Sequence, residues 1–148
     1  MNPICIFENY SKILPRLYIG NLLSSTCLPK QITHVVNVTQ DVPRPNYILK
    51  GNYLQVKIDD SKDENILQYF NITGKFIDAA LKEGGVVLVH CYMGVSRSVS
   101  VVAAYLLYKR FAKTTSDALS YIEKKRCVAN PNSGFIRQLK IYSGETRR

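Results

Sequence analysis

Residues 86–98, VVLVHCYMGVSRS, place four apolar residues directly before a histidine, a cysteine, a glycine and an arginine. Such a continuous apolar run is typical of a strand that is covered on both faces of a parallel sheet. The loop between Cys91 and Arg97 has to turn tightly because a second apolar segment follows it, and Gly94 permits the backbone conformations of a tight turn. This stretch therefore predicts a buried strand, a short loop and a buried helix.

The segments on either side of this stretch predict an α/β fold. Downstream, apolar residues recur at helical spacing over residues 99–107; a further helix, capped by residues 115–117, ends near Arg126, and a last one starts near Ser133. Upstream, a helical pattern from Asn65 to the Gly84-Gly85 pair follows three segments typical of strands, at residues 16–20, 32–38 and 53–58. We therefore predict a central, mostly parallel, twisted sheet of about five strands, flanked by helices on both faces.

Length and composition favour one domain. The chain has 148 residues, 46% of them hydrophobic and 21% charged, which is the composition of an ordinary globular protein. No run approaches the ~20 apolar residues that span a bilayer, and the first residues lack the pattern of a signal peptide. We therefore predict a single domain over residues 1–148, with an intracellular, cytoplasmic location and no membrane partner. The short basic clusters leave nuclear entry open.

The net charge of +9, from 20 Lys and Arg against 11 Asp and Glu, favours anionic partners such as phosphoproteins, nucleic acid or acidic lipid. The basic residues are spread along the chain apart from two short clusters, at residues 123–126 and 146–148. A generally basic surface is therefore a better interpretation than a dedicated nucleic-acid stripe. The sequence does not indicate an oligomeric state.

Four cysteines are scattered through the chain without a CxxC pair. The two histidines stand at no ligand spacing from them, so neither a metal site nor a cofactor is predicted. In a reducing compartment the expected state is a free thiol. Cys5, Cys27 and Cys127 are accordingly interpreted as structural thiols, and a disulfide that protects Cys91 has no support in the sequence.

The Cys-x5-Arg loop has the chemistry of an anion site. Its backbone N–H groups and those of the next helical turn are unpaired, and the positive end of the helix dipole faces the same hollow. The planar guanidinium of Arg97 can hold two phosphate oxygens at once. The same donors stabilise a thiolate, which makes Cys91 a candidate nucleophile. On this stretch alone, a cysteine that only fills core space is an equally good interpretation.

The motif and its flanking segments resemble the atypical, dual-specificity branch of the cysteine-dependent protein phosphatases. The signature of that family, His-Cys-x-x-Gly-x-x-Arg-Ser, is complete at His90, Cys91, Gly94, Arg97 and Ser98. Similar segments follow in the same order along nearly the whole chain, at residues 17–21, 32–39, 104–107 and 130–139. Several matches in order are much more specific than the loop alone, so the resemblance implies the fold and the activity of that family.

The resemblance implies a two-step mechanism through a cysteinyl-phosphate. Cys91 is then the nucleophile, and Ser98 donates a hydrogen bond to the departing sulfur, unless Ser98 is a plain helix cap. His90 orients the loop and tunes the Cys91 thiolate rather than acting as an acid or base, and Asn130 braces the loop, unless Asn130 only forms a turn. The residues that hold the phosphate, through Arg97 and the loop amides, are Tyr92, Met93, Gly94, Val95, Ser96 and Arg97.

The resemblance also implies an aspartate, on a loop upstream of the cysteine, as general acid and base. Asp60, 31 positions before Cys91, matches that place best, and Asp59 and Asp63 are its rivals. Without the resemblance, such a run is interpreted as a solvated acidic turn. Lys57 stands where relatives often have proline, which bears on how this loop approaches the site.

The implied substrates are phosphorylated proteins, in a shallow site that accepts phosphotyrosine, phosphoserine and phosphothreonine. The loop has no lysine to meet the extra phosphates of a phosphoinositide, so lipid is less favoured. An RNA 5′-triphosphatase of the same architecture stays open because of the net charge of +9. A module that binds phosphoresidues without hydrolysing them is a third alternative, disfavoured because Cys91 and Arg97 are both present. No metal is required, since the loop and Arg97 supply the positive charge.

Overall fold

A five-stranded sheet forms the centre of the computed structural model, which describes residues 5–29 and 31–147. The strands are β1 (Tyr10–Leu14), β2 (Leu17–Gly20), β3 (His34–Asn37), β4 (Tyr53–Gln55) and β5 (Val87–His90). Their order across the sheet is β1-β2-β5-β3-β4, with β1 antiparallel to β2 and the other neighbouring pairs parallel. The strand that precedes Cys91 is therefore the central one.

The helices are α1 (Leu22–Thr26), α2 (Phe70–Lys82), α3 (Arg97–Tyr108), α4 (Thr115–Lys125) and α5 (Ser133–Tyr142), with short 3₁₀ helices at Lys50–Asn52 and Leu67–Tyr69. Asn21, Thr114 and Asn132 cap α1, α4 and α5, because each side chain accepts a hydrogen bond from a free N–H of the first turn. The predicted cap at residues 115–117 is thus wrong by one position. Among the described residues, no helix combines the length and the apolar character that crossing a bilayer requires.

Side chains of the strands alternate between two apolar clusters, one on each face of the sheet. On β5, Val87 and Val89 pack into the larger cluster, to which α2, α3, α4 and α5 all contribute. Leu88 packs on the opposite face, where Leu28, Ile32 and Ile48 from the connecting segments cover it. The predicted fold class is confirmed, although the four long helices all lie on one face. α3 is buried over residues 97–107, as its all-round apolar pattern predicted.

Two elements were not among the predicted segments, and one predicted strand is shorter. β1 and α1 flank β2, and the turn between β1 and β2 places Arg16 at a φ of 65°. The Arg16 side chain donates from Nη1 to the Leu81 carbonyl at 2.8 Å, which ties this turn to α2. The strand predicted over residues 53–58 ends at Gln55, and the Ile58 carbonyl accepts a hydrogen bond from the Arg97 side chain instead.

The prediction of free structural thiols is wrong for two of the three cysteines concerned. Cys5 and Cys127 form a disulfide with their Cα atoms 5.7 Å apart, although 122 positions separate them in the chain. Cys27 is a free thiol and is exposed, whereas Cys91 is free and buried. The fold brings the paired residues together over a separation that cysteine spacing in the sequence does not reveal.

Candidate active site

The loop between β5 and α3 lies where the parallel strands end, which is the usual ligand-binding edge of an open α/β sheet. Cys91 follows directly on β5, and its N–H points to the Gly20 carbonyl at 3.3 Å, at the end of β2. The next carbonyl, of Tyr92, accepts a hydrogen bond from the Leu22 N–H at 2.9 Å. The loop is therefore held by the neighbouring strand and by the start of α1.

The thiol of Cys91 is buried, with 2% of the residue exposed. Its Sγ lies 3.1 Å from Oγ of Ser98, on the first turn of α3. Ser96, not Ser98, is the residue at the N-cap position of α3, and among the residues that the structure describes no side chain caps that helix. The alternative interpretation of Ser98 as a plain cap is therefore wrong, and its hydroxyl is available to the sulfur.

The Arg97 side chain is buried, but only some of its hydrogen-bond donors have partners. Its Nη1 donates to the Ile58 carbonyl at 3.0 Å, which joins the loop to the segment before the acidic turn. Its Nε, also buried, has no hydrogen-bond partner among the described residues. A buried, unpaired donor of a charged group is costly, and here it lies at the uncapped N-terminus of α3, where an anion would satisfy it.

Asp60 is connected to the loop through one residue, Asn132. The Asn132 Nδ2 donates to Oδ1 of Asp60 at 2.8 Å, and the Asn132 N–H donates to Oγ of Ser96 at 2.9 Å. Asn130, which the resemblance implied, contacts the loop with its backbone, because its N–H donates to the Val95 carbonyl at 2.8 Å. The residue that joins loop and aspartate is thus Asn132, through its backbone N–H on one side and its side chain on the other, and sequence reasoning missed it.

The two rival aspartates have different surroundings. The Asp59 N–H donates to the Glu64 carboxylate at 2.9 Å, and the charge of Asp59 contributes a little to raising the pKa of Tyr92. Asp59 therefore stays near the mouth of the site. Asp63 lines a separate cavity with Arg137. All three aspartates, Asp60 included, are exposed.

The start of α5 packs directly on the acidic turn. A Cβ on Gly134 would lie 2.0 Å from the carbonyl oxygen of Lys62, so only glycine allows this approach. One helical turn later, the Gln138 side chain donates to the Glu64 carbonyl at 2.8 Å and accepts from the Leu67 N–H at 2.9 Å. The backbone of the acidic turn is therefore positioned by α5.

Arg126 holds the loop from its other side and was also missed. The residue is 2% exposed, and its Nε donates to the Gly94 carbonyl at 2.7 Å. Its Nη1 donates to the Glu8 carbonyl at 2.8 Å and to Oγ of Ser11 at 3.0 Å. Burial lowers the pKa of Arg126, while the charge of Cys91 acts in the opposite direction. A positive charge is thus fixed behind the loop of Cys91.

Gly94 has to be glycine because of this contact. Its φ is 68°, and a Cβ there would lie 2.6 Å from Nη2 of Arg126 and 2.9 Å from the Gly20 carbonyl carbon. The glycine of the motif was predicted from the tight turn. The arginine was not, because residues 123–126 have the composition of a solvated basic cluster.

His90 is fully buried at the end of β5, and neither ring nitrogen has a hydrogen-bond partner among the described residues. Burial lowers the pKa of His90 to about 4; the Cys91 backbone raises it slightly, and Arg97 lowers it. The ring is therefore neutral near pH 7. Any influence of His90 on Cys91 is through packing rather than through a positive charge.

Tyr92 and Met93 form the exposed rim of the loop. The Tyr92 ring lies over the Arg97 guanidinium, with 5.2 Å between the ring centroid and Cζ. Its hydroxyl donates to the Asp41 carboxylate, which raises the pKa of Tyr92 and keeps the hydroxyl protonated. Met93 is 60% exposed. The rim of the site is thus apolar and partly aromatic.

The structure is that of an α/β protein in which a strand–loop–helix unit brings a thiol and a guanidinium together at the N-terminus of a helix, a position that favours an anion. The chain belongs to the dual specificity phosphatase family, because the model of that family's catalytic domain matches residues 17–145. The predicted resemblance is thereby confirmed.

Known proteins similar to this chain agree with that membership. Dual specificity protein phosphatase 1 of Arabidopsis thaliana is 40% identical over 128 residues, covering 84% of this chain and 64% of that protein. A Slingshot homolog protein phosphatase of Xenopus laevis is 36% identical over 140 residues, covering 90% of this chain and 20% of that protein. The chain therefore spans between a fifth and about two thirds of these relatives.

A solved structure extends the similarity to the fold. Human tyrosine phosphatase-like serine/threonine/tyrosine-interacting protein superposes with a TM-score of 0.83 at 34% identity, covering 92% of this chain and 96% of that one. Relatives therefore include proteins named as phosphatases and one named as phosphatase-like and interacting.

Proposed function

We propose that the chain is a catalytic domain that hydrolyses phosphotyrosine, phosphoserine and phosphothreonine in proteins through a cysteinyl-phosphate. One observation carries this proposal. The buried thiol of Cys91 lies 3.1 Å from the Ser98 hydroxyl, on the same loop as an Arg97 guanidinium whose buried Nε has no partner among the described residues. A nucleophile and an unsatisfied anion-binding donor in one hollow are what phosphoryl transfer requires.

In the first step, the Cys91 thiolate attacks phosphorus; an S–P bond forms and the P–O bond to the substrate breaks. Asp60 donates its proton to the leaving oxygen. In the second step, Asp60 takes a proton from water, whose oxygen attacks phosphorus, and the S–P bond breaks. The Ser98 hydroxyl donates a hydrogen bond to the departing sulfur, which it already approaches at 3.1 Å. Inorganic phosphate leaves and the thiolate is restored.

The other residues of the loop bind the phosphate or hold the loop. Arg97 and the backbone amides of residues 92–97 hold the non-bridging oxygens, which carry the charge of the transition state. Asn130, through its backbone, and His90, through packing, keep the loop in shape. Because this chain supplies positive charge from Arg97 and the amides, we propose that it needs no metal for the reaction.

The proposed partners are phosphorylated proteins, and the proposed setting is a single domain over residues 1–148 inside the cell. There a thiolate nucleophile stays reduced, and the Cys5–Cys127 bond would be subject to reduction. Two alternatives remain for comparison in the same assay. One is hydrolysis of an RNA 5′-triphosphate, which the net charge of +9 favours. The other is phosphoresidue binding without turnover, suggested by the name of the interacting relative.

The test compares four proteins: wild type, Cys91→Ser, Asp60→Asn and, as the matched control, Asp59→Asn. The substrates are para-nitrophenyl phosphate, peptides carrying phosphothreonine and phosphotyrosine, and a 5′-triphosphorylated RNA, with EDTA present throughout. We expect no turnover by Cys91→Ser and a kcat about 10²- to 10⁴-fold lower for Asp60→Asn, the usual contribution of a general acid. In Asp59→Asn we expect kcat to fall far less, because Asn132 is hydrogen-bonded to Asp60 and not to Asp59.

Three results would contradict the proposal. An equal loss in both asparagine variants would deny Asp60 its role as acid. A folded wild type that binds the peptides but releases no phosphate would make the loop a recognition site. Hydrolysis of a 5′-triphosphorylated RNA, with both peptides untouched, would move the function to nucleic acid.

A further inference from the structure

Tyr92 and Asp41 form a hydrogen-bonded pair at the rim of the loop, and the two-step reaction uses neither side chain. The Tyr92 hydroxyl donates to the carboxylate of Asp41, on the connection between β3 and β4. The backbone carbonyl of Tyr92 accepts a hydrogen bond from the Leu22 N–H at 2.9 Å. The residue is therefore held at both its backbone and its hydroxyl, while 36% of its surface stays exposed.

The Tyr92 ring lies beside the place where a phosphate would bind. Its centroid is 5.2 Å from Cζ of Arg97, in the arrangement of a cation–π pair. Arg97 is proposed to hold the phosphate. The substrate side chain that carries this phosphate would therefore extend out of the hollow next to the Tyr92 ring. Met93, 60% exposed, adds an apolar surface on the same rim.

Phosphoamino acids differ in what this rim can contact. In phosphotyrosine the phosphate is attached to an aromatic ring, whereas phosphoserine and phosphothreonine carry it on a short alkyl chain. Two aromatic rings attract each other in offset or edge-to-face arrangements, with centroids about 4.5–7 Å apart. A side chain that is already immobile loses little conformational entropy when a ligand binds. The hydrogen bond to Asp41 immobilises the Tyr92 ring in this way.

We propose that Tyr92 is a specificity-determining residue that makes the site favour aryl phosphates, phosphotyrosine in proteins, over the alkyl phosphates of serine and threonine. Asp41 is a positioning residue that acts through Tyr92. The inference rests on the proposed phosphatase function and refines its substrate class. The site remains dual in specificity, because Tyr92 adds a contact for the aryl group and removes none for the others.

The experiment measures kcat/KM on one peptide sequence that carries phosphotyrosine or phosphothreonine at the same position. The readout is the ratio of the two values, because partial misfolding or a loosened loop lowers both and leaves the ratio constant. Wild type should prefer phosphotyrosine. In Tyr92→Ala the ratio should fall about 2- to 10-fold, the range that one aromatic pair contributes. Tyr92→Phe keeps the ring and should stay closer to the wild-type ratio than Tyr92→Ala does.

Two further variants separate the role of the Tyr92 ring from the role of Asp41, which positions it. Asp41→Ala frees the Tyr92 ring and should lower the ratio, whereas Asp41→Asn still offers an oxygen to the hydroxyl and should restore it. Tyr47→Ala is the matched control. Tyr47 is a tyrosine on the same connection, 62% exposed, which lines a neighbouring groove with Pro43 and Arg44, so its removal should leave the ratio at the wild-type value.

An unchanged ratio in Tyr92→Ala would overturn the inference while the phosphatase function stood. An equal fall in Tyr47→Ala would do the same, because the preference would then come from the neighbouring groove. A folded wild type that cleaves neither peptide would instead overturn the proposed function, and this inference with it.

Discussion

The sulfur of Cys91 has one hydroxyl beside it, and two arginines lie around its loop. Ser98 Oγ is 3.1 Å from the sulfur, Arg97 follows on the same loop, and Arg126 contacts the Gly94 carbonyl from behind the loop. His90, by contrast, is neutral near pH 7, because burial lowers its pKa to about 4. The positive charge around the loop of Cys91 therefore comes from arginine and not from the histidine of the motif.

Ser98→Ala should slow the second chemical step selectively. A hydrogen bond to a charged group contributes about 1.5–3 kcal/mol, so its loss at the departing sulfur should lower turnover about 10- to 100-fold. The cysteinyl-phosphate then accumulates, and rapid mixing with para-nitrophenyl phosphate should show a burst of one nitrophenol per site. Ser100→Ala is the control, because that hydroxyl donates to the Ser96 carbonyl and not to the sulfur. A burst in both variants, or in neither, would contradict the assignment.

His90 should make the folded state less stable as the pH falls. Its pKa is about 4 in the folded protein and 6.5 when exposed, so between these values the unfolded chain binds more protons. Stability is therefore complete above pH 6.5 and is lost as the pH falls toward 4, with about 2 kcal/mol lost between pH 7 and pH 5. Urea unfolding at both pH values measures this. His90→Asn should flatten the dependence; an equal slope in that variant would assign it to other groups.

At the scale of elements, the start of α5 joins the two halves of the site. Asn132 caps this helix, contacts the loop at Ser96 and donates to Asp60. Two residues later, Gly134 touches the backbone of Lys62 in the acidic turn. A single helix end therefore positions the loop of Cys91 and the turn of Asp60 relative to each other, which the proposed reaction needs to hold closely.

Gly134→Ala should displace the acidic turn and lower activity. The added Cβ would lie 2.0 Å from the Lys62 carbonyl oxygen, so the turn has to move. We expect kcat to fall by about 10-fold or more, because a shift of ~1 Å in a catalytic group can cost 100-fold. The loss should be greater for phenyl phosphate than for para-nitrophenyl phosphate, whose leaving group needs less protonation.

Gly51→Ala is the matched control for this substitution, because a Cβ there meets nothing within 4 Å. It should keep wild-type kcat on both esters. If Gly134→Ala lost the same factor on both esters, the defect would lie in the nucleophile's loop rather than in protonation.

At the scale of the whole molecule, the N-terminal segment and the connection between α4 and α5 are fastened to each other beside the loop. The disulfide joins Cys5 to Cys127, and the adjacent Arg126 contacts the Glu8 carbonyl and Oγ of Ser11. The Phe7 ring lies 5.5 Å from the Arg126 guanidinium. The segment that covers Arg126 is thus anchored covalently at its beginning.

Reduction of this disulfide should destabilise the protein. The bond closes a loop of 122 residues, and a crosslink of that kind typically contributes about 2–4 kcal/mol by restricting the unfolded chain. Urea unfolding with and without dithiothreitol should reveal a difference of that size in wild type and in Cys27→Ser. The double variant Cys5→Ser/Cys127→Ser should be insensitive to the reductant. A wild-type protein that is equally stable in both conditions would contradict the prediction.

Local features are the ones that the amino-acid sequence predicts. Residues 86–107 specify a strand, a tight loop and a buried helix, so Cys91, Gly94, Arg97 and Ser98 had to lie together whatever the rest of the chain did. The apolar patterns located most of the sheet and the long helices. They missed β1 and α1, which are short and held by contacts with their neighbours rather than by their own propensity.

Which distant residues support that loop depends on how the chain packs in three dimensions. Asn132 joins the loop to Asp60, and Arg126 is buried although it belongs to a cluster with the composition of surface charge. Cys5 meets Cys127 across 122 positions. These contacts depend on how helices and strands pack, and packing brings together residues whose separation in the chain carries no periodic signal. The residue types of the site can therefore be predicted from the sequence, whereas the distances and contacts between them depend on the fold.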